Sequence, residues 1–235
     1  MWQHAAKDYR NLIVNPEWDS QFLRERGLFP NIVDMIGDCD EAVLLDAGTG
    51  PVWLFDFVKP AKAYACDIVE PERIPPGVAF EVQNIESLTY QDDTFDIVVA
   101  SLLLIFCENL RDACSELYRV AKPQGSRLIV SLTHPFFYRT GTVMDDESFL
   151  LTEDLSQPFQ LELKIAEQVG PLTYYYRALP DYVNQLIEAG WCIKGIRDWY
   201  IDMSEYRERL ADGLQSKIRR TGHIPLYSFI ECEKA

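Results

Sequence analysis

The sequence predicts an α/β fold built on an open, mostly parallel sheet with helices on both faces. Three observations support this: an apolar strand that runs into a glycine turn, a series of short apolar strands after it, and helical segments between them. Strands that alternate with helices are typical of parallel sheets, because parallel neighbours need a crossover connection. We therefore expect residues 1–235 to form a single domain.

The glycine turn after the first strand predicts a ligand-binding loop. Residues 43–45 are apolar, Asp46 follows, and Gly48 and Gly50 then stand one residue apart. Glycine has no Cβ, so a ligand can lie directly against the backbone of such a loop. A dinucleotide site would need a third glycine at position 53, which is Trp53, so that alternative fails at its third element.

The segments after the loop continue the alternation. In order, they are a helix at 52–58, strands at 62–66, 78–83 and 95–101, a helix at 109–121, a strand at 127–132, a helix at 183–190 and a final strand at 224–231. Ligands of open parallel sheets bind beyond the carboxyl ends of the strands. We therefore expect Asp46, Asp67, Asn84, Ser101 and His134, which stand at or just after strand ends, to face one crevice.

This series resembles the class I S-adenosylmethionine-dependent methyltransferases, in particular their small-molecule branch. The resemblance runs from residue 43 to 133, with acid-x-Gly-x-Gly at Asp46, and resumes in Tyr-Tyr-Tyr-Arg-Ala-Leu-Pro-Asp-Tyr at 174–182. It implies methyltransferase activity and a Rossmann-like sheet of seven mostly parallel strands, with N-terminal helices and a lid insertion. Two residues depart from the family pattern: Pro51 removes a backbone N–H, and Val52 stands where a third glycine is common.

The resemblance also implies S-adenosylmethionine as the cofactor and gives the strand ends roles. The glycine loop is expected to cradle the methionine part, Asp67 to accept hydrogen bonds from the ribose hydroxyls, and Asn84 to accept one from the adenine amino group. Ile85 is expected to pack on the adenine ring. The expected cofactor-binding residues are Tyr9, Asp46, Ala47, Gly48, Gly50, Asp67, Ile68, Asn84, Ile85 and Ser101.

Two residues are candidates for a role in the reaction. His134 directly follows the fifth strand, in Thr-His-Pro-Phe-Phe, and a similar His-Pro occurs in the small-molecule branch. We expect it to act as a base or to orient the acceptor, although hydrogen bonding to the turn backbone alone explains it equally well. The same branch often has Tyr-His-Arg where this chain has Tyr175-Tyr176-Arg177, so we expect Tyr176 to orient a polar acceptor. Arg177 either binds an acidic group of the acceptor or pairs with an acidic lid.

Three segments exceed the needs of the sheet. Residues 1–40 predict an N-terminal helical cap, residues 135–173 an aromatic and acidic lid, and residues 201–222 an added amphipathic helix before the last strand. Long connections of this kind are usually functional, and we interpret 135–173 as the cover of the acceptor.

Composition limits the classes of partner. The chain has 235 residues, is 48% hydrophobic and carries a net charge of −15, which disfavours nucleic acid. Its six cysteines form no C-x-x-C pair, so we expect buried free thiols in the cytoplasm and no metal site. No segment resembles a signal peptide or a membrane span. We expect a monomer or homodimer.

The sequence therefore predicts methyl transfer from S-adenosylmethionine to an oxygen or nitrogen of a small-molecule metabolite. Two alternatives stay open at this point. One is a non-catalytic protein that binds the cofactor and activates a partner, and the other is a related enzyme that uses the same cofactor without methyl transfer.

Overall fold

The computed structural model describes residues 23–135, 142–143, 149–150, 154–163, 172–201 and 225–235. The strands in these residues are β1 Val43–Ala47, β2 Lys62–Asp67, β3 Val78–Val82, β4 Ile97–Ser101, β5 Arg127–Thr133, β6 Thr142–Val143, β7 Phe149–Leu150, β8 Phe159–Leu163, β9 Leu172–Tyr176, β10 Trp191–Trp199 and β11 Tyr227–Lys234. The α-helices are α1 Phe29–Ile36, α2 Leu110–Val120 and α3 Leu179–Ala189. A π-helical turn, Arg24–Leu28, leads directly into α1.

Seven strands form one sheet in the order β10-β11-β5-β4-β1-β2-β3. Strands β1 to β5 pair in parallel, and β11 runs antiparallel to both of its neighbours. The prediction of a seven-stranded, mostly parallel sheet is therefore confirmed. Because β1, β2 and β4 are parallel neighbours in register, Asp46, Asp67 and Ser101 come to the same edge.

The two faces of the sheet bury different side chains, as the two-residue period of a strand requires. Leu45 and Val98 pack on the face that α2 and α3 cover, whereas Leu44 and Val99 pack on the face that α1 covers. Both faces of the central strands are thus buried from solvent. This explains why β1 and β4 are largely continuous apolar runs rather than alternating apolar and polar residues.

The predicted ends of two helices are confirmed by their caps. Asn109 precedes α2, and its side-chain oxygen accepts a hydrogen bond from the Asp112 backbone N–H at 3.3 Å. Gly190 follows α3 with φ +110°, a left-handed conformation that terminates the helix. Arg119 and Glu116 on α2 also bind the β3–β4 connection, because Arg119 donates to the Leu88 and Tyr90 carbonyls.

The helix predicted at 183–190 begins four residues earlier in the structure, at Leu179, and two other predicted elements differ as well. Residues 52–58 form no α-helix but a single 3-10 turn, Leu54–Asp56, after Trp53 in an extended conformation. Two separate contacts of the segment explain this. Phe55 is buried in the core, whereas Phe57 stacks on Phe29 of α1 with 4.6 Å between the ring centroids. The final strand, β11, begins and ends three residues later than the predicted 224–231.

Parts of the three added segments lie within the described residues. The N-terminal segment contributes the π turn and α1, whose apolar face of Ile32, Met35 and Ile36 is buried as predicted. In the lid segment, β6 pairs with β7 and β8 pairs with β9, both antiparallel. The added helix at 201–222 lies outside the described residues except for Ile201, and the domain boundaries stay predictions.

A buried lysine fixes the last strand to α2. Lys234 is 8% exposed, and its ammonium donates to the backbone carbonyls of Tyr118 (2.9 Å) and Ala121 (2.7 Å) and to the Asp93 carboxylate (3.2 Å). The ammonium also lies 4.3 Å from the centroid of the Tyr118 ring. A cation at a helix C-terminus satisfies carbonyls that have no partner within the helix. This contact explains why β11 extends to residue 234.

We expect Lys234→Met to lower the free energy of unfolding by about 1–3 kcal/mol, because it leaves two buried carbonyls without a donor. Lys194→Met is the matched control: Lys194 is half-exposed and only pairs with Glu233 at 3.5 Å, so its loss should cost less than about 0.5 kcal/mol. Urea denaturation of both variants provides the comparison. Equal effects of the two substitutions would contradict the role assigned to Lys234.

Candidate active site

A cavity of about 270 Å³ opens where the carboxyl ends of β1, β2 and β4 meet the segment that follows β3. Most of the residues that the sequence predicts for the cofactor line it: Asp46, Gly48, Gly50, Asp67, Ile68, Asn84, Ile85 and Ser101. The parallel order of the strands accounts for this convergence, since residues far apart in sequence come to one edge.

The glycine loop has the backbone conformation that its sequence predicts. Gly48 and Gly50 have φ of +67° and +61°, values that favour glycine. The Gly48 and Thr49 backbone N–H groups donate to the Cys66 carbonyl at 2.8 and 3.1 Å, which fixes the loop against β2. A Cβ on Gly48 would lie 2.5 Å from Cδ1 of Leu103. The loop and the segment after β4 therefore pack so closely that only glycine fits at position 48.

Asp67 at the end of β2 connects the loop with the next strand end. Its Oδ2 accepts a hydrogen bond from the Gly50 N–H at 2.9 Å, and its Oδ1 accepts one from the Val69 N–H at 3.1 Å. Each carboxylate oxygen can accept more than one hydrogen bond. The carboxylate is therefore oriented by the backbone and still able to accept from a ligand's hydroxyl pair in the cavity.

The segment after β3 supplies a polar and an apolar group side by side. The Asn84 side-chain oxygen accepts a hydrogen bond from the Glu86 N–H at 3.0 Å, and the Asn84 residue itself is exposed. Ile85 is 6% exposed and joins the core beneath the cavity. An oriented amide beside an apolar surface suits a flat heterocycle with a hydrogen-bonding edge.

Asp46 is a buried acid beneath the glycine loop. It is 2% exposed, and its Oδ2 accepts a hydrogen bond from the Thr49 hydroxyl at 2.6 Å. Burial raises the pKa of the Asp46 carboxyl to about 7, while the hydrogen bonds from Thr49 and from the Leu54 N–H oppose that rise. The Asp46 carboxyl, with a pKa of about 7, therefore changes its charge near neutral pH.

Residues 41–129 match the family model of the methyltransferase domain. The chain is 31% identical over 132 residues to the ubiquinone/menaquinone biosynthesis C-methyltransferase of Hydrogenovibrio crunogenus, covering 54% of this chain and 52% of that protein. It is 26% identical over 160 residues to the malonyl-acyl-carrier-protein O-methyltransferase of Erwinia billingiae, covering 65% of this chain and 63% of that protein. The chain thus spans about half to two thirds of the length of these relatives.

The fold has a solved counterpart as well. The structure of an S-adenosylmethionine-dependent methyltransferase from Mesorhizobium loti superposes with a TM-score of 0.64 at 17% identity, covering 87% of this chain and 96% of that one. Residues 41–129 thus resemble the methyltransferase-domain family in sequence, and the chain has the fold of this S-adenosylmethionine-dependent methyltransferase. The family's cofactor is S-adenosylmethionine, and the residues present suit it: a glycine loop, an oriented acid at β2 and an amide next to Ile85.

Two residues predicted for the site, Ala47 and Tyr176, do not line the cavity. Ala47 is fully buried in the core of β1. Tyr176 is 1% exposed, and its ring stacks on Phe159 with centroids 4.6 Å apart. Thr173 and Tyr175 line the cavity instead, because side chains alternate along β9. The structure therefore places Tyr175, and not Tyr176, at the cavity wall, and a role of Tyr176 in the reaction stays a prediction.

His134 lies directly after β5, as predicted, but outside the cavity lining. Its backbone N–H donates to the Leu226 carbonyl at 2.9 Å. Burial lowers the pKa of the half-buried imidazole, and the nearby Asp198 carboxylate opposes that shift. The imidazole is therefore neutral at pH 7 and able to accept a proton. Its role in the reaction stays a prediction, and Tyr9 lies outside the described residues.

Among the described residues Arg177 contacts a backbone carbonyl and a tyrosine ring, and most of the acidic lid lies outside them, so both expectations for Arg177 stay predictions. Its Nη2 donates to the Glu108 carbonyl at 2.8 Å, just before α2, and its guanidinium lies 5.2 Å from the centroid of the Tyr175 ring. Arg177 thus holds Tyr175 against the start of α2. Burial raises the pKa of the Tyr175 phenol, and the nearby Glu108 and Glu86 carboxylates add to that rise, so the phenol stays protonated at neutral pH.

Sequence reasoning missed several residues that line the cavity, among them Arg24, Phe29, Leu103 and Phe106. Leu103 and Phe106 follow β4, where Leu102 has φ +51° and its N–H donates to the Ser131 carbonyl at 2.9 Å. A non-glycine residue in this conformation is uncommon. For Leu103 and Phe106, the position shortly after the strand end at Ser101 is the only sequence signal that could have placed them at the cavity.

Within the described residues, no group of three or more acidic, histidine or cysteine side chains could hold a metal ion. All six cysteines are free thiols, and all but Cys192 are buried, largely as the sequence predicts. No described helix is both long and apolar enough to cross a bilayer.

The buried Asp46 carboxyl gives a pH-dependent prediction. Its folded-state pKa of about 7 lies above the ordinary value of 3.8, so the folded protein holds a proton that the unfolded chain has lost between these pH values. The stability contributed by this group therefore falls as pH rises from about 4 to 7. The full shift corresponds to about 4 kcal/mol.

We expect Asp46→Asn to be more stable than the wild type at pH 8 by about 1–2 kcal/mol, since the added amide N–H offsets part of the gain. Asp96→Asn is a control that should destabilise the protein instead, because burial of Asp96 is outweighed by the Lys122 ammonium and the Val43 N–H together, which lower the pKa of Asp96. Urea titrations at pH 5 and pH 8 make the comparison. A difference between wild type and Asp46→Asn that does not change with pH would contradict a buried, titrating Asp46.

Proposed function

We propose that this protein transfers the methyl group of S-adenosylmethionine to an oxygen or nitrogen of a small-molecule acceptor. The observation that carries the proposal is the cavity at the carboxyl ends of β1, β2 and β4. It brings the glycine loop, the Asp67 carboxylate and the Asn84 amide together around one space. These groups match the methionine, ribose and adenine parts of the cofactor.

The remaining wall of the cavity suits an acceptor. Phe29, Leu103 and Phe106 supply apolar surface, and Thr173 and Tyr175 supply hydroxyl groups. S-adenosylmethionine, when bound, supplies an activated methyl group, so the protein needs few reactive groups of its own. Its residues have to hold the acceptor in line with the reacting bond and keep water away.

The names of the relatives leave the acceptor atom open. The Hydrogenovibrio relative is named a C-methyltransferase, and the Erwinia relative is named an O-methyltransferase. We propose oxygen or nitrogen as the acceptor atom, with the neutral imidazole of His134, which follows β5 outside the cavity lining, as the candidate group to take up its proton.

The partners and compartment are proposed on similar grounds. A net charge of −15 supports a small-molecule substrate rather than nucleic acid. Six free cysteines support a reducing compartment such as the cytoplasm. We propose a monomer or homodimer.

The test combines binding with product analysis. Calorimetry with S-adenosylmethionine measures the affinity, and mass spectrometry then follows S-adenosylhomocysteine and methylated product across phenols, carboxylic acids, amines and activated carbon acceptors. We expect binding, followed by stoichiometric formation of both products with at least one oxygen or nitrogen acceptor. Binding without turnover on any acceptor would favour a non-catalytic partner protein. Consumption of the cofactor without a methylated product would favour a related enzyme that uses S-adenosylmethionine without methyl transfer.

The role proposed for His134 has its own test. We expect His134→Ala to lower kcat by about 100-fold, because general-base catalysis typically contributes that much, while the affinity for S-adenosylmethionine changes little. His134→Asn serves as the control, since it keeps hydrogen-bonding groups but cannot accept a proton near pH 7. If His134→Asn retains full turnover, or if kcat and cofactor affinity fall together, His134 has a structural role.

A further inference from the structure

Strand β9 presents Tyr175 to the cavity from a hairpin whose other face is buried. Tyr174 and Tyr176, on either side of it, are each 1% exposed. The Tyr174 ring meets Phe106 edge-on with 6.3 Å between centroids, and the Tyr176 ring stacks on Phe159. Because side chains alternate along a strand, Tyr175 points the opposite way and lines the cavity. The β8–β9 hairpin is therefore an anchored part of the cavity wall.

Contacts from two other elements fix Tyr175 in this place. The Tyr182 hydroxyl of α3 donates to the Tyr175 backbone carbonyl at 3.5 Å. The Arg177 guanidinium lies 5.2 Å from the centroid of the Tyr175 ring, and its Nη2 donates to the Glu108 carbonyl at 2.8 Å, just before α2. A side chain that is held before a ligand arrives loses little freedom when the ligand binds.

The hydrogen of the Tyr175 phenol has a partner within the chain. Burial raises the pKa of the phenol, the Glu108 and Glu86 carboxylates add to the rise, and Glu108 accepts a hydrogen bond from it. A phenol has a single hydrogen to donate, but its oxygen can also accept. With its hydrogen directed to Glu108, the Tyr175 oxygen is a hydrogen-bond acceptor toward the cavity.

The surroundings of Tyr175 in the cavity have the same character. Glu86 also lines the cavity, and its Oε1 accepts a hydrogen bond from the Asn109 N–H at 3.0 Å. An ionised carboxylate only accepts hydrogen bonds. Leu103 and Phe106 add apolar surface to the same lining. A ligand with a polar hydrogen on an apolar body gains a hydrogen bond here, whereas an ether oxygen meets lone pairs and gains none.

We propose that Tyr175 selects acceptors that carry an O–H or N–H group on an apolar body, by accepting a hydrogen bond from that group. This inference rests on the proposed methyl transfer and names the substrate class that the cavity favours. Uptake of the acceptor's proton is a separate step. The selection also has a consequence for release: methylation of a hydroxyl replaces the hydrogen that Tyr175 binds, so the product is held less tightly than the substrate.

The test uses p-cresol and its methyl ether, which share one ring and differ in the hydroxyl hydrogen. Ligand-observed NMR titrations measure both dissociation constants on protein saturated with S-adenosylhomocysteine. We expect p-cresol to bind about 3- to 10-fold more tightly, as one net hydrogen bond allows. Tyr175→Phe keeps the ring beside Arg177 and should bring the two constants within about twofold of each other, with the affinity for S-adenosylhomocysteine unchanged.

Glu108→Ala tests the direction of the hydrogen bond. It removes the carboxylate but keeps the backbone carbonyl that holds Arg177. The phenol hydrogen is then free to donate to the ether oxygen, so the methyl ether should gain about 3-fold relative to p-cresol. A purely structural role of Tyr175 would not produce this change in preference. Tyr200→Phe and Glu41→Ala are the matched controls, since both residues are exposed and outside the cavity lining, and both variants should keep the wild-type ratio.

The outcomes separate this inference from the proposed function. Equal binding of the two probes by the wild type, or a preference that persists in Tyr175→Phe, would overturn the role of Tyr175, and an unchanged ratio in Glu108→Ala would overturn the role of Glu108. Binding of neither probe would also overturn the inference, while binding of S-adenosylhomocysteine in the same samples would leave the proposed function standing. If the wild type does not bind S-adenosylhomocysteine, the proposed function fails and this inference fails with it.

Discussion

Gly48→Ala should abolish measurable binding of S-adenosylhomocysteine. Gly48 has φ +67°, which an alanine adopts only with strain, and its new Cβ would lie 2.5 Å from Leu103. The loop would have to move away from Leu103 or rotate, and either change would break the hydrogen bonds of Gly48 and Thr49 to the Cys66 carbonyl. We expect an affinity loss of about 3 kcal/mol or more, of which backbone strain accounts for roughly 1–2.

Gly125→Ala provides the matched control for Gly48→Ala. Gly125 has φ +82°, so the same kind of strain arises, but no atom lies within 4 Å of the added Cβ. This variant should lose stability without losing affinity for the ligand. Calorimetry and thermal unfolding of both variants separate the two effects. Tight ligand binding by Gly48→Ala would show that the loop does not hold the cofactor.

Asp67→Ala should weaken S-adenosylhomocysteine binding by about 1–3 kcal/mol, because the ribose hydroxyls lose a charged acceptor. The same substitution removes the acceptor of the Gly50 N–H, so the loop also loses a support. Asp67→Asn keeps one acceptor oxygen and should give an intermediate loss. Calorimetry at fixed ionic strength measures the dissociation constants of these variants.

Glu72→Ala is the control for the change in net charge. Glu72 is exposed, lies five residues after Asp67, and is outside the cavity lining. Glu72→Ala should leave the affinity unchanged, since an exposed charge outside the cavity is largely screened by salt. An unchanged dissociation constant in Asp67→Ala would reject the placement of the ribose at β2.

The strand ends could be predicted from sequence because their signals are local. Short apolar runs such as 43–45 and 97–100 mark strands that are buried on both faces, and the polar residue that follows each run, Asp46 or Ser101, marks the end. Parallel topology then brings these ends together without any knowledge of side-chain packing. Asp46, Gly48, Asp67 and Asn84 line the cavity for that reason.

Residues whose position depends on tertiary packing were harder to predict. Three tyrosines stand in a row at 174–176, and sequence alone does not decide which ones face the cavity. The stacking of Tyr176 on Phe159 buries the Tyr176 ring, and the neighbouring Tyr175 then faces the cavity. Arg24 was missed because its place beside the glycine loop depends on the contact of Gly27 with Trp199, more than 170 residues away in sequence. Likewise, the apolar pattern at 52–58 suits a helix, but with Phe57 in contact with Phe29 the segment forms only a single 3-10 turn, Leu54–Asp56.

The most direct test of this account is a crystal structure of the protein soaked with S-adenosylhomocysteine. We expect the ribose hydroxyls on the Asp67 carboxylate, the adenine against Ile85 and the amino-acid tail along Gly48 and Gly50, inside the cavity of about 270 Å³. A nucleoside bound at any other place on the chain, or a cavity that stays free of ligand at saturating concentration, would contradict the assignment.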